Sequence, residues 1–193
     1  MMMDPNGNKA MNDRFKITFF FTLIAAGVAL RLLCQDIPNF APVAALALFA
    51  GFVFQSWIYA AMVPVAVLAI TNIYLGGYDD WLVMLSVYAC LILPTVFGKR
   101  FLQSDKNEIA PVLPVIGFSF AGSLMFFFVT NYAAWLSPWY PNTWSGFIEC
   151  YVAALPFFRY TLMGDLFFCF AFFGAHALVV RFSSAKVWRP VLN

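Results

Sequence analysis

Residues 111–136 read PVLPVIGFSFAGSLMFFFVTNYAAWL, a run without a single charged side chain. A helix that crosses the hydrocarbon core of a bilayer needs roughly 17 to 25 mostly apolar residues, and this stretch is long enough to do so. Comparable runs lie at 17–33, 40–55, 57–75 and 81–97 before it and at 160–182 after it. Together they predict an all-α integral membrane protein, a bundle of about six transmembrane helices. It forms one domain over 15–182, flanked by a polar tail at 1–14 and a second tail at 183–193. The composition agrees: 63% of the 193 residues are hydrophobic and only 10% charged, with a mean hydropathy of +0.82. No water-soluble domain of this size needs so much apolar surface.

Two stretches fit the pattern poorly. The run at 40–55 is short, follows Pro38 and contains Pro42, which predicts a tilted or re-entrant segment. The run at 146–158 is apolar but too short to span, carries Glu149 and is interrupted by Pro156. It predicts a short amphipathic or re-entrant segment before the last span, a surface-lying or pocket-lining helix.

The charges sort by side. Of the eleven basic residues, Lys9, Arg14 and Lys16 precede the first span. Lys99, Arg100 and Lys106 follow the fourth, and Arg181, Lys186 and Arg189 follow the sixth. Only Arg31 and Arg159 fall on the other side. Basic residues in short loops favour the cytoplasmic face, so both termini are expected inside, in a multi-pass protein of the bacterial inner membrane. The basic start followed by an apolar run resembles a secretion signal, but the run is long and lacks a small-residue cleavage site. A retained signal anchor is the expectation, with residues 1–13 a disordered polar tail. Cys34 follows Leu33, where a lipoprotein cysteine calls for a small residue.

Cys34, Cys90, Cys150 and Cys169 show no CxxC spacing and no partner histidines, so no metal site is indicated. Cys34 and Cys150 fall near the same outer face, which leaves a disulfide open. The simpler reading makes them small packing residues.

Polar residues gather toward the outer ends of the spans: Arg31, Asp36, Asn39, Asn72, Asn131, Arg159 and Asp165. An unpaired charge at mid-membrane costs roughly 2.5 to 3.5 kcal/mol on insertion scales, so these groups must face each other, water or a ligand. They predict an outward-facing polar pocket, with Asp165 paired to Arg159 or Arg31. The simpler alternative makes the asparagines interhelical glue and leaves the arginines among headgroups. Trp135, Trp139 and Trp144 crowd a ring- and proline-rich stretch on the same side. They read as an interfacial belt or as a lid closing over a flat ligand. Asp165, Cys169 and His176 share one helical face, but Asp165 and His176 stand roughly 16 Å apart along the axis, too far for one ion. A packed histidine is the simpler reading there. Ala25 and Ala29 form a small-residue pair that lets another helix approach closely, as do Gly117 and Ala121. No GxSxG, HExxH or phosphate-binding glycine loop is present, and the chain has one histidine. An enzyme is not expected. Neither are a cofactor nor a nucleic-acid partner.

Several segments carry a resemblance. They are Arg31-Leu-Leu with Pro38-Asn39-Phe40-Ala-Pro42, Phe128-Val-Thr-Asn131-Tyr-Ala-Ala-Trp135, and Cys150-Tyr151-Val-Ala-Ala-Leu-Pro156-Phe157-Phe158-Arg159 followed by Gly164-Asp165. From about Arg31 to the end of the last span, the chain resembles a bacterial family of unknown function whose members are described as transport proteins. That family is similar in size and span number to the S components of energy-coupling factor vitamin transporters. The likeness implies a small organic solute, a vitamin or its precursor, held near the outer face. It also implies docking, through Ala25 and Ala29, on a transmembrane energy-coupling subunit with ATPases. The competing expectation is a non-catalytic scaffold subunit of a membrane complex.

Overall fold

The computed structural model of the chain describes residues 5–103 and 109–182, with side chains from residue 14 onward. Lys106, Lys186, Arg189 and the tail 183–193 lie outside the described residues. The described residues form six α-helices: α1 (Pro5–Leu33), α2 (Val43–Val53), α3 (Trp57–Leu75), α4 (Trp81–Phe97), α5 (Val112–Leu136) and α6 (Trp144–Phe182). A π-helical turn, Gly98–Leu102, extends α4. Five of the helices are long and apolar enough to cross a membrane, and large side chains such as Ile58, Ile73, Leu113, Phe128 and Phe170 stand exposed on their outer faces.

The expected second span is the exception. α2 has 11 residues, about 16 Å at 1.5 Å per residue, half of what a bilayer core requires. Its cause lies upstream. Asn39 adopts a left-handed conformation with φ 61°, which asparagine tolerates better than most residues, and Pro38 and Pro42 flank it. The backbone of 34–42 therefore turns, and the helix begins only after Pro42. What α2 lacks in length it makes up in burial, since Val43 and every residue from Ala45 to Val53 are buried. It forms the axis of the bundle, packed against α4, α3 and α6.

Glycines set how closely α2 is held. A Cβ on Gly98 would lie 2.0 Å from the Leu48 carbonyl oxygen, and one on Gly51 would lie 2.1 Å from that of Thr95. The backbones of α2 and α4 are thus in direct contact, in the manner of small-residue helix pairs in membranes. The carbonyls left free at the C-terminal end of α2 are met by side chains from the same turn. Lys99 Nζ donates to Phe54 O at 3.2 Å and to Gln55 O, and Gln103 Nε2 donates to Phe52 O at 3.1 Å.

Two further expectations change. The break foreseen at 146–158 does not occur: α6 is one helix of 39 residues, about 58 Å long. Pro156 removes one backbone bond and crowds the carbonyl of residue 152, but residues 152 and 156 lie on the exposed face, where the helix can absorb this. The stretch expected as a disordered tail is helical from Pro5 onward.

Successive helices run antiparallel. Phe20 of α1 meets Phe54 and Tyr59 at the α2–α3 junction, with ring centroids 6.1 and 5.4 Å apart. At the opposite end, Arg31 reaches Asn72 of α3 and Asn72 reaches Tyr88 of α4. Phe97 near the end of α4 stacks on Phe118 near the start of α5. His176 of α6 packs on Phe52, whose carbonyl is held by Gln103. The C-terminal half of α6 therefore lies at the Lys99 end of the bundle, away from Arg31.

Candidate functional site

Because α2 begins only at Val43, the half of its column beyond that end is open. A cavity of about 470 Å³ fills that space, lined by the 34–44 segment and by residues of α1, α4, α5, α6 and the α3–α4 connection. The segment 35–39 is exposed, so the cavity opens beside it at one end of the bundle.

One wall is cationic. Arg31 Nη1 donates to Asn72 Oδ1 at 3.0 Å and to Thr71 Oγ1. Thr71 Oγ1 in turn donates to the Val67 carbonyl at 2.6 Å, and Asn72 Nδ2 donates to the Tyr88 hydroxyl at 3.3 Å. Thr71 and Asn72 share one nitrogen of the guanidinium, and Tyr78 is a further hydrogen-bond partner of Arg31, out of the five N–H donors that the group carries. Tyr78 stands beside it on the cavity wall. Burial pushes its phenol above the ordinary range, with the nearby Arg31 charge opposing.

The facing wall carries a carboxylate. Asp165 lies on α6 and is only 5% exposed. Ser123 Oγ of α5 donates to its Oδ2 at 2.6 Å. The expected pairing of Asp165 with Arg31 or Arg159 is not formed. Arg31 is engaged by α3, and Arg159 points outward, bonded to the Tyr160 hydroxyl at 2.9 Å with its guanidinium 4.6 Å from the center of that ring. Below Asp165 a second void of about 10 Å³ is bounded by Ser119 and Cys169, room for a single water molecule. Between the polar walls the lining is apolar, with Phe40, Val87, Leu91 and Phe126.

Of the residues singled out from the sequence, Arg31, Asn39 and Asp165 line this cavity, and Asn72 stands behind Arg31. The others lie elsewhere. Asn131 Nδ2 donates to the Phe127 carbonyl of its own helix at 2.6 Å. Trp135 donates to Pro141 O at 3.1 Å and packs on Phe147, on which Trp144 also stacks. Trp139 is exposed. The ring-rich stretch thus closes on itself at the α5–α6 turn, away from the cavity. Ala25 and Ala29 are exposed on α1, whereas Gly27 between them faces Leu46 and Val67. His176 is packed between Phe49 and Phe52. All four cysteines are free, and Cys34 and Cys150 are not bonded to each other. Among the described residues no three His, Cys, Asp or Glu side chains gather where one metal ion could bind.

Thr71, Tyr88 and Ser123 were not legible as site residues. Hydroxyls are common in membrane helices because they can bond to their own backbone four residues back, as Thr71 does, so their presence in a span signals nothing. Ser119 and Ser123, one turn apart on an otherwise apolar helix, are the one pattern that could have flagged a polar stripe.

Fold and cavity together define a multi-helix protein built for an apolar surround, with a charged pocket at one end. Residues 10–188 match the family described as "Family of unknown function (DUF6580)", and the chain belongs to that family. No curated protein and no solved structure matches the chain. The family match carries no link to the S components of energy-coupling transporters.

Proposed function

We propose that this chain is a membrane transport protein that captures a small organic solute in the cavity beyond α2. The observation that carries the reading is the half-length central helix. A truncated helix on the bundle axis leaves a protein-lined space at membrane depth, and non-helical backbone is tolerated at that depth where it lines such a space. Interrupted helices beside charged side chains are how many transporters build their substrate sites. The walls suit holding a solute: a guanidinium, a carboxyl group, a phenol and apolar rings, around a volume within the usual range for small-molecule sites.

The expected orientation adds direction. Lys99 and Arg100 lie at the end of α4 away from the cavity. With basic residues inside, the cavity faces out of a bacterial inner membrane, and capture is from the exterior. The exposed Ala25 and Ala29 leave α1 open to close approach by another membrane helix, where an energy-coupling subunit would sit if transport is driven from outside this chain.

Native mass spectrometry of the protein extracted gently from its own membrane tests the reading. A retained small molecule, lost from both Asp165→Asn and Arg31→Gln, is the expected result. A ligand-free chain bound to envelope proteins would overturn capture in favor of a scaffold subunit.

A further inference from the structure

Arg31 and Asp165 share one cavity without being bonded to each other, and this mismatch bears on what enters. Each is held by neutral partners, Arg31 by Thr71, Asn72 and Tyr78 and Asp165 by Ser123. A guanidinium has five N–H donors, and the bonds to Thr71 and Asn72 both come from Nη1. Ser123 occupies one oxygen of Asp165. Resting on the capture reading above, we infer that the cavity selects a small zwitterion with an apolar body, its carboxylate toward Arg31 and its ammonium toward Asp165.

The charge balance decides between ligand classes. A lone anion would satisfy Arg31 but give Asp165 no cationic partner, and a lone cation would suit an ionized Asp165 but meet Arg31 as a like charge. A neutral solute would leave the Arg31 guanidinium without a charged partner in a partly desolvated space. A zwitterion brings no net charge and supplies both missing partners. Phe40, Leu91 and Phe126 on the walls between supply an apolar surface for its body. The N-terminus of α2 adds to the picture: the first backbone bond within this stretch is Leu46 N to Pro42 O, so the amides of residues 43–45 are free of intrahelical partners.

The test is calorimetric binding to the full-length protein in lipid nanodiscs. The probes are phenylalanine, tryptophan and 6-aminohexanoate, each against its analogues without the carboxylate (2-phenylethylamine, tryptamine, hexylamine) and without the amine (3-phenylpropionate, indole-3-propionate, hexanoate). At least one zwitterion is expected to bind about tenfold or more tightly than both of its singly charged analogues, a gap equivalent to about 1.4 kcal/mol. Asp165→Asn should erase the preference over the amine-free analogue, and Arg31→Gln the preference over the carboxylate-free one. A purely structural role for either residue would weaken all probes together, and thermal unfolding of each variant reports that loss directly. Equal binding of singly charged analogues to the unaltered protein, or a crossed pattern absent in the variants, overturns zwitterion selection while leaving capture standing. Failure of every zwitterion to bind overturns it as well, and the absence of any retained molecule in native mass spectrometry removes capture itself.

Discussion

Ser123 Oγ on α5 donates to Asp165 Oδ2 on α6 across 2.6 Å, with Ser123 fully buried and Asp165 nearly so. The bond joins the longest antiparallel helix pair of the bundle at the level of the cavity, and among the described residues it is the one side-chain hydrogen bond the carboxyl group has. Hydrogen bonds to charged groups contribute about 1.5–3 kcal/mol, and a buried acceptor stripped of its donor loses the full desolvation penalty. Ser123→Ala is therefore expected to destabilize the protein by about 1–3 kcal/mol, read as a lower midpoint in thermal or SDS-induced unfolding. Ser123→Ala combined with Asp165→Asn should recover part of the loss. An unchanged midpoint in the single variant would contradict the bond's role.

The α2–α4 contact makes a sharper prediction, because the obstacle to a larger residue is backbone. Gly98→Ala places a methyl 2.0 Å from the Leu48 carbonyl oxygen and Gly51→Ala places one 2.1 Å from that of Thr95. Neither carbonyl can move without shifting a helix. Overpacking of this kind costs about 1–3 kcal/mol and sometimes more, and separating α2 from α4 also disturbs the Lys99 and Gln103 bonds at the end of α2. Gly117→Ala is the internal control: its Cβ would meet nothing within 4 Å, and alanine is the better helix former by about 1 kcal/mol. Expression and unfolding midpoints should fall for the first two variants and hold or rise for the third.

The sequence carried the helices better than the site. The predicted starts of α3 and α4 at Trp57 and Trp81 coincide with those observed, because an interfacial tryptophan follows Ser56 in one case and the capping Asp80 in the other. Pro38 and Pro42 are strong local signals, and α2 does begin only after them, whereas Pro156 is as strong a signal and α6 runs through it, as α3 and α4 run through the buried Pro64 and Pro94. Whether a proline breaks a helix is therefore not a local property. The cavity was legible only as far as charge is. Arg31 and Asp165 stand out in an apolar chain, but nothing local shows that Ser123 rather than an arginine meets Asp165. The tryptophans attract notice for their size and then pack on one another. The Gly51–Thr95 and Gly98–Leu48 contacts pair residues on different helices, so no spacing within either helix announces them.

Asp80 supplies a pH dependence outside the membrane-spanning segments. It is the N-cap of α4, and its Oδ1 accepts from Val83 N at 3.0 Å and Leu82 N at 2.8 Å. The Val83 amide above all holds the Asp80 carboxyl below its ordinary value, against a smaller opposing effect of burial. A depressed folded value means that the stabilization is fully present above the unfolded carboxyl value of about 3.9. It is lost as pH falls through the folded one. Asparagine caps as well as aspartate but does not titrate. The unaltered protein should therefore lose more stability than Asp80→Asn does as the pH falls from about 4 through the depressed folded value, in matched unfolding titrations. Parallel curves would assign the acid sensitivity to other carboxylates.

Cys34 tests the direction in which the cavity faces. It is half-buried and lines the cavity, while Cys90, Cys150 and Cys169 are buried. A thiol reagent needs an exposed sulfur as well as a thiolate, so Cys34 should be the residue that reacts. With the cavity facing outside, as the proposed orientation has it, a membrane-impermeant maleimide added to right-side-out vesicles is expected to modify Cys34 alone, with Cys34→Ser unlabelled. Labelling confined to inverted vesicles would reverse the orientation and turn capture from the exterior into capture from the cytoplasm. Because the sulfur sits on the cavity wall, a bound solute should also slow the reaction. Protection by a molecule that leaves the labelling of denatured protein unchanged would place that molecule in the cavity rather than elsewhere on the chain.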